Sequence, residues 1–462
     1  MISYIIRFSL LLLFPLSLFS MESKTVSISG TSDYPLALIR LLAYDDFLSW
    51  HEKTLTYAMT DAEGNFEFET QITETKNYIL ALELERNEIF LVPGSRYVLH
   101  IPTQPHDPYA SFFDKEPLQF QMEPHEDGGF HEQLSEINLT FNTFVLEHFR
   151  TLQRRSRHDL IDSLQYNLES ITSQSKHPYL HEYVTYKLAN LRLATRNQSR
   201  ESLREALFTN KPVLYHHIEY MDLAKELYGN FISEVGSSSP SAINRLLVNG
   251  YQALDSIMLA KGELTTNDRL REFVLLINLH RWSGNKFYDQ TWVQHLIEEI
   301  ALESPFPIHR KHAENIIHMQ QKGAYGSPAP GFRLSTDNHG AIDLRDLDDK
   351  HVLISFVKEN CLACENALLD LEAFHQKYHD RFHFITIATA EAFEQTIHFF
   401  ENNRLNWPVL NLGRHILLLE AYQVRTLPEF VLLLPGTKIG MLPAPAPQRY
   451  LEHHINRILS YD

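Results

Sequence analysis

The spacing of apolar residues changes period twice along the 462 residues, so no single layer architecture accommodates the whole chain. From about Thr25 to Ile101 polar and apolar residues alternate, as in "KTVSISG", "NFEFETQI", "NYILALEL" and "RYVLHI", with turn residues in "DAEGN" and "VPGS" between them. Short alternating runs of this kind are the pattern of a small all-β sandwich, expected over residues 25–104. The stretch Asp61–Asn65 lacks the ligand spacing and distal glutamate of a calcium loop and is read as a tight turn. A Pro- and Gly-containing passage, "TQPHDPYASFFDKEPLQFQMEPHEDGG", closes the β region. Over residues 130–321 the period becomes helical. Ile161, Leu164, Leu168 and Ile171 share one helix face, and Leu180, Val184, Leu188 and Leu191 share another. This middle α-helical region is broken at "GSSSPS", Gly236 to Ser241, and has no convincing internal repeat.

Beyond "QKGAYGSPAPGF" the pattern changes again, and residues 324–462 are expected to form an α/β domain. A strand pair, "FRL" and "AIDL", precedes "HVLISFV", which reads as a buried strand. A helix opened by the second cysteine follows, with Cys364, Leu368, Leu371 and Phe374 or Tyr378 on its apolar face. Then come "FHFITIA", a helix in "EAFEQTIHFFENN", "WPVL", a helix in "HILLLEAYQV", "EFVLLL", a Pro435-Gly436 turn, "KIGML" and a last helix in "QRYLEHHINRILSY".

The chain has only two cysteines, Cys361 and Cys364, in "SFVKENCLACENALLDLEAF". They could be a redox pair, half of a metal site, or two structural thiols. Zinc normally takes four ligands, and neither a second CxxC nor a nearby His-x-x-x-His completes a set. A bridge closing so short a loop restricts the unfolded chain little, so it is a poor staple. Placement favours exchange chemistry. Cys361 ends the buried strand and faces the N–H groups of a helix N-terminus, where the dipole favours a thiolate able to attack a partner's disulfide. Cys364, one turn on, is in reach to resolve the mixed disulfide. Lys358 favours the thiolate, while Glu359 and Glu365 oppose it.

With "GSPAPGFRLSTDNHGAIDLRDL" before it, "CLAC" after a buried strand, "YQVRTLPEFVLLLPGTKIG" near the end and a terminal helix, the region from about 324 to 462 resembles a thioredoxin-fold domain of the TlpA/ResA-like kind, exported bacterial thiol-disulfide oxidoreductases. The resemblance implies that Pro428 is cis, lies against the disulfide and helps present partner backbone. It implies no bound cofactor, since the disulfide carries the electrons, and a membrane redox protein as donor or acceptor. The chain departs from the family pattern in four places. Asn360 replaces the aromatic residue before the first cysteine, Ser355 the acidic residue of the buried strand, Ala367 a glutamate three residues after the second cysteine, and Glu429 the threonine after the proline. A β domain followed by helices and a thioredoxin domain is also similar to a layout common among exported TlpA-like proteins. Peroxiredoxins share the fold, but their threonine or serine and proline upstream of the reactive cysteine correspond here to Lys358 and Ile354. The rival of another class is an envelope scaffold in which the thioredoxin domain is a folded module with vestigial chemistry.

The N-terminus, "MISYIIRFSLLLLFPLSLFSMESK", places Arg7 before a short apolar run with Ser20 as a cleavage position, the layout of a secretory signal over residues 1–20. Export to the periplasm or cell envelope is therefore expected, with an uncleaved anchor as the alternative. The expected partners are protein thiols and disulfides of the envelope. A net charge of -17 without a dense basic stripe argues against nucleic acid or an anionic membrane surface as the main partner, and the run Arg154 to His158 is read as a solvated helix face. The pairs His216-His217 and His453-His454 are expected on the surface, and Trp407 in the core.

Overall fold

The computed structural model describes residues 23–104, 117–123, 127–154, 157–236, 238–260, 262, 264–337, 340–448 and 450–460. The secretory segment 1–20, much of the passage after the β region, and Arg155 and Ser156 of the basic run lie outside the described residues.

The alternating N-terminal runs form β1 (Lys24–Ser32), β2 (Leu38–Tyr44), β3 (Glu52–Met59), β4 (Asn65–Ile72), β5 (Lys76–Leu82), β6 (Glu85–Leu91), β7 (Arg96–Ile101) and β8 (Gln121–Met122). They make two four-stranded sheets, ordered β4-β1-β7-β8 and β3-β2-β5-β6. Alternation puts Val26, Ile28, Phe66, Phe68, Tyr97 and Leu99 of one sheet against Ile39, Leu41, Tyr78, Leu80, Ile89 and Leu91 of the other, the core of a β-sandwich. Asp61–Asn65 is a tight turn. The Asp61 carboxylate accepts from the backbone N–H of Glu63 at 3.0 Å and of Asn65 at 2.7 Å. Gly64 has φ +84, and a Cβ there would lie 2.1 Å from the Ser32 carbonyl oxygen, so only glycine fits.

The helical period yields α1 (Phe130–Arg154), α2 (His158–Thr172), α3 (Pro178–Ala194), α4 (Arg200–Leu207), α5 (Ile218–Tyr228), α6 (Phe231–Val235), α7 (Pro240–Val248), α8 (Tyr251–Leu259), α9 (Asp268–Trp282), α10 (Gln290–Glu303) and α11 (Pro307–Gln321). Helix starts are set locally: Ser199, Asn267 and Asp289 accept backbone N–H bonds as N-caps, and proline opens α3, α7 and α11. Helix α9 carries apolar residues all round, from Leu270 to Trp282, and packs against α5, α6, α8, α10 and α11. The loop after β2 reaches into the same core: Phe47 and Leu48 are buried among these helices, and the Lys225 ammonium donates to the Phe47 carbonyl at 3.0 Å.

The histidine pairs depart from expectation at one position. His453 is exposed and His454 half-buried, but His217 is fully buried, its ring stacked 4.2 Å from Tyr179. It caps α5, with Nδ1 accepting from the Tyr220 N–H at 3.4 Å and Nε2 lying 3.3 Å from the Tyr179 carbonyl. Both bonds suit the neutral ring protonated on Nε2, an assignment that follows from the two partners. Burial pushes the pKa of His217 down to about 4.

In the C-terminal unit, β9 (Arg333–Thr336), β10 (Ala341–Asp343), β11 (His351–Val357), α12 (Leu362–Tyr378), β12 (Phe382–Ala388), α13 (Phe393–Asn403), β13 (Val409–Asn411), α14 (Leu417–Ala421), β14 (Glu429–Leu434), β15 (Lys438–Ala444) and α15 (Leu451–Leu459) follow in order. The sheet runs β10-β9-β13-β12-β11-β14-β15, with β11, β12 and β13 parallel and β14 and β15 antiparallel. Every residue of β11 is buried. Val352, Ile354 and Phe356 face the layer of α14, while Leu353 and Val357 face α12 and α15. Helix α12 begins at Leu362 rather than at the second cysteine, because Cys361 itself caps it. Helix α14 is shorter than its apolar run, since Gln423 turns the chain with φ +50.

Because the unfolded chain takes up a proton on His217 near pH 6.5 and the folded chain only near pH 4, stability falls as pH is lowered through that window. The expected loss is up to roughly 3 kcal/mol. Urea unfolding at pH 7.0 and 4.5 should show a smaller loss in His217→Asn, which keeps a capping side chain without the titration. An equal loss would remove His217 as the cause.

Candidate functional site: the Cys361–Cys364 disulfide

The site is built at the point where the most buried strand gives way to a helix. After Val357 the chain turns through Asn360, which has φ +51, a left-handed conformation that asparagine tolerates better than an aromatic or β-branched residue. Its N–H donates to Gln395 Oε1 on α13 at 3.3 Å. Cys361 then takes the N-cap position, and its Sγ accepts from the Cys364 N–H at 3.1 Å. The two cysteines form a disulfide with their Cα atoms 5.2 Å apart. Cys361 is half-buried, whereas Cys364 is only 3% exposed and packs with Ala367, Leu368 and Leu371. In the reduced state, the sulfur open to a partner is therefore also the one held at the positive end of the α12 dipole.

Across from the disulfide lies the segment leading into β14. Leu427–Pro428 is a cis peptide, and the Leu427 carbonyl oxygen is 4.0 Å from Cys361 Sγ. The structure thus brings Cys361, Cys364 and the Pro428 segment together, although they are far apart in sequence. Glu429 folds back on this loop, its carboxylate accepting from the Arg425 N–H at 3.3 Å and the Thr426 hydroxyl at 3.5 Å.

The remaining departures from the family pattern have definite surroundings. Ser355 lies on the α12 face of β11, fully buried, with Oγ 2.9 Å from Thr386 Oγ1 and 3.3 Å from the Ile385 carbonyl. The Trp407 indole N–H donates to the same Thr386 oxygen at 3.0 Å, so the buried polar chain of Ser355, Thr386 and Trp407 holds no ionisable group. Trp407 is core packing, against Phe384, Phe400 and His375. Ala367 is buried, and a glutamate there would need its own desolvated partner.

Sequence reasoning missed the contribution of α13. Gln395, Thr396 and Phe399 join Val357, Lys358, Glu365 and Leu368 around a shallow crevice beside the two cysteines, with an enclosed volume of only about 20 Å³. Helical spacing in "EAFEQTIHFF" marks α13 as amphipathic but carries no sign of which end meets the disulfide. Among the described residues, no group of three or more His, Cys, Asp or Glu side chains is arranged to hold a metal ion.

Residues 348–439 match a family model described as thioredoxin-like. No curated protein matches the chain. Among solved structures, the chain is similar to the thioredoxin domain of a thiol-disulfide oxidoreductase from Bacteroides vulgatus, with 22% identity, 29% of this chain and 97% of that one covered, and a TM-score of 0.27. It is similar to a thiol:disulfide interchange protein from Bacteroides sp., with 21% identity, 30% and 90% covered and a TM-score of 0.27. A secreted Mycobacterium tuberculosis disulfide oxidoreductase homologous to E. coli DsbE gives 19% identity, 27% and 95% covered and a TM-score of 0.24. The C-terminal unit of this chain is a thioredoxin-like domain, joined to an N-terminal β-sandwich and a middle helical region.

After reduction, iodoacetamide should alkylate Cys361 at least about tenfold faster than Cys364, because the first is capped on a helix N-terminus and open to solvent while the second is enclosed. Peptide mapping by mass spectrometry reads the ratio, and equal rates would contradict the assignment of Cys361 as the accessible sulfur.

Proposed function

We propose that the protein is an exported thiol-disulfide oxidoreductase that exchanges its Cys361–Cys364 dithiol with disulfides of cell-envelope proteins. The observation that carries this reading is the disulfide at the N-terminus of α12, with the half-buried Cys361 sulfur facing the Leu427–Pro428 segment. In the reductive direction, the Cys361 thiolate attacks one sulfur of a partner disulfide, forms a mixed disulfide and expels the partner's other sulfur as a thiolate, which takes a proton. The Cys364 thiol then loses its proton and attacks Cys361 Sγ, which closes the intramolecular disulfide and releases the second partner thiol. Two electrons and two protons pass to the partner, and an external dithiol, in our reading a membrane redox protein, restores the reduced pair. The oxidative direction is the reverse.

Pro428 acts here as the residue that presents the partner's backbone, and no bound cofactor enters the cycle. The apolar leader of residues 1–20 supports export to the periplasm or envelope. Among the described residues, no helix is long and apolar enough to cross a membrane. One observation favours the scaffold reading: the buried Ser355–Thr386–Trp407 chain on the α12 face of the sheet contains no ionisable side chain.

Equilibration in thiol/disulfide buffers, with alkylated cysteines counted by mass spectrometry, separates the two readings. A reversible two-electron transition is expected, near about -270 mV for a reductant or near about -120 mV for an oxidant. If no reversible disulfide forms at any poise, the scaffold reading takes its place. In insulin reduction, Cys361→Ser should abolish turnover. Cys364→Ser should accumulate a mixed disulfide on Cys361, visible on a non-reducing gel, and a variant that accumulates none would reverse the roles of the two sulfurs.

A further inference from the structure

The segment that faces Cys361 is anchored from outside the thioredoxin-like domain. Helix α14 and the residues after it, Tyr422 to Leu427, lead directly into Pro428, and each upstream unit touches them. From the β-sandwich, Arg40 on β2 is 6% exposed and donates through one Nη2 to Glu420 Oε2 at 3.0 Å and to the Glu83 carbonyl at 2.8 Å. Leu84, next to Glu83, packs against the apolar cluster that contains Leu418, Leu419 and Tyr422. From the end of the helical unit, the Lys322 carbonyl accepts from Gln423 Nε2 at 3.4 Å. Gly323 approaches so closely that a Cβ there would lie 2.6 Å from Gln423 Nε2 and 2.9 Å from a Leu442 methyl. The connecting chain adds the Pro330 carbonyl, which accepts from the Tyr422 hydroxyl at 2.7 Å.

These contacts converge on a short stretch that has little regular structure of its own. Helix α14 spans only Leu417–Ala421, Gln423 is held at φ +50, and the bonds closing the loop from its far side come from Glu429. A buried guanidinium with one carboxylate partner fixes that partner's position, because leaving the charge alone in the interior is costly. The upstream units therefore act on the loop opposite Cys361 rather than on the cysteines.

Resting on the oxidoreductase reading above, we propose that Arg40 acting through Glu420, and the Lys322 carbonyl acting through Gln423, are positioning groups for partner recognition. They hold the Arg425–Pro428 segment in place beside Cys361, so that a polypeptide disulfide is bound productively only when the β-sandwich and the helical exit are docked. A small dithiol reaches the half-exposed Cys361 sulfur without that segment and is indifferent to the docking. This gives residues 25–321 a role in selecting a cysteine-containing polypeptide over small thiols.

The test uses the full chain with two substrates, insulin as the polypeptide disulfide and dithiothreitol as the small dithiol. Glu420→Gln keeps the shape of a partly exposed side chain, and Gln423→Ala removes the bond to Lys322, so neither needs a core residue to change; circular dichroism checks that both fold. Each should raise KM for insulin by about threefold to tenfold, leave kcat less affected, and keep the rate of disulfide reduction by dithiothreitol within about twofold of the unsubstituted protein. Arg40→Met should give the same split, larger. Folded variants with an unchanged KM for insulin, or with both substrates slowed equally, would overturn the coupling while leaving the oxidoreductase reading intact. If the unsubstituted protein exchanges with neither substrate, the oxidoreductase reading fails and this inference falls with it.

Discussion

Burial of β11 on both faces is the constraint on which the C-terminal unit depends. A strand with no solvent-facing side must be covered by two layers, and here α12 and α15 cover one face and α14 the other. That demand fixes where the strand ends and, within a few residues, where the next helix begins. Cys361 occupies the junction, so its sulfur is placed by the packing of apolar side chains such as Leu353, Val357, Leu368 and Leu371, none of which takes part in sulfur chemistry. The position of the disulfide is in this sense a by-product of how a buried strand must be followed.

The surroundings of the pair are chemically spare. On the α12 face of the sheet lies a neutral chain of hydroxyls and an indole, Ser355, Thr386 and Trp407, which satisfy one another's buried polar atoms without an ionisable member. Charge near the sulfurs comes from the rim, from Lys358 and Glu365 at the crevice and from Glu359, which accepts from the Thr389 hydroxyl at 3.3 Å. Beside these opposing rim charges, the α12 dipole and the Cys364 N–H are directed at Cys361 Sγ. Both are backbone features and require no particular side chain nearby.

The units are also less separate than a chain of domains suggests. Phe47 and Leu48 belong to a sandwich loop yet complete the helical core, and Asn315 on α11 donates to the Asp46 carboxylate at 2.7 Å. The thioredoxin-like domain is tied in by Arg40 and Glu420 and by the backbone of the connector, where the Gly326 N–H donates to the Ile439 carbonyl at 2.7 Å and the Ile439 N–H to the Ser327 carbonyl at 2.8 Å. The connector thereby adds to the open edge of β15, which would otherwise present unpaired backbone groups.

The amino-acid sequence by itself determined what depends on near neighbours. Alternation set the two sheets of the sandwich, helical spacing set the middle region, and a β-branched run followed by CxxC set the strand, the turn and the capped helix. Periods of two and 3.6 residues are local properties, legible without knowing what covers them. Only the tertiary structure decided the features made by residues remote in the chain. It enclosed His217 against Tyr179, gave Ser355 its partner in Thr386, brought Gln395 and Phe399 to the disulfide, and paired Arg40 with Glu420 across 380 positions. Such contacts leave no local signature, because a side chain's period says which face it occupies and nothing about what arrives to meet it.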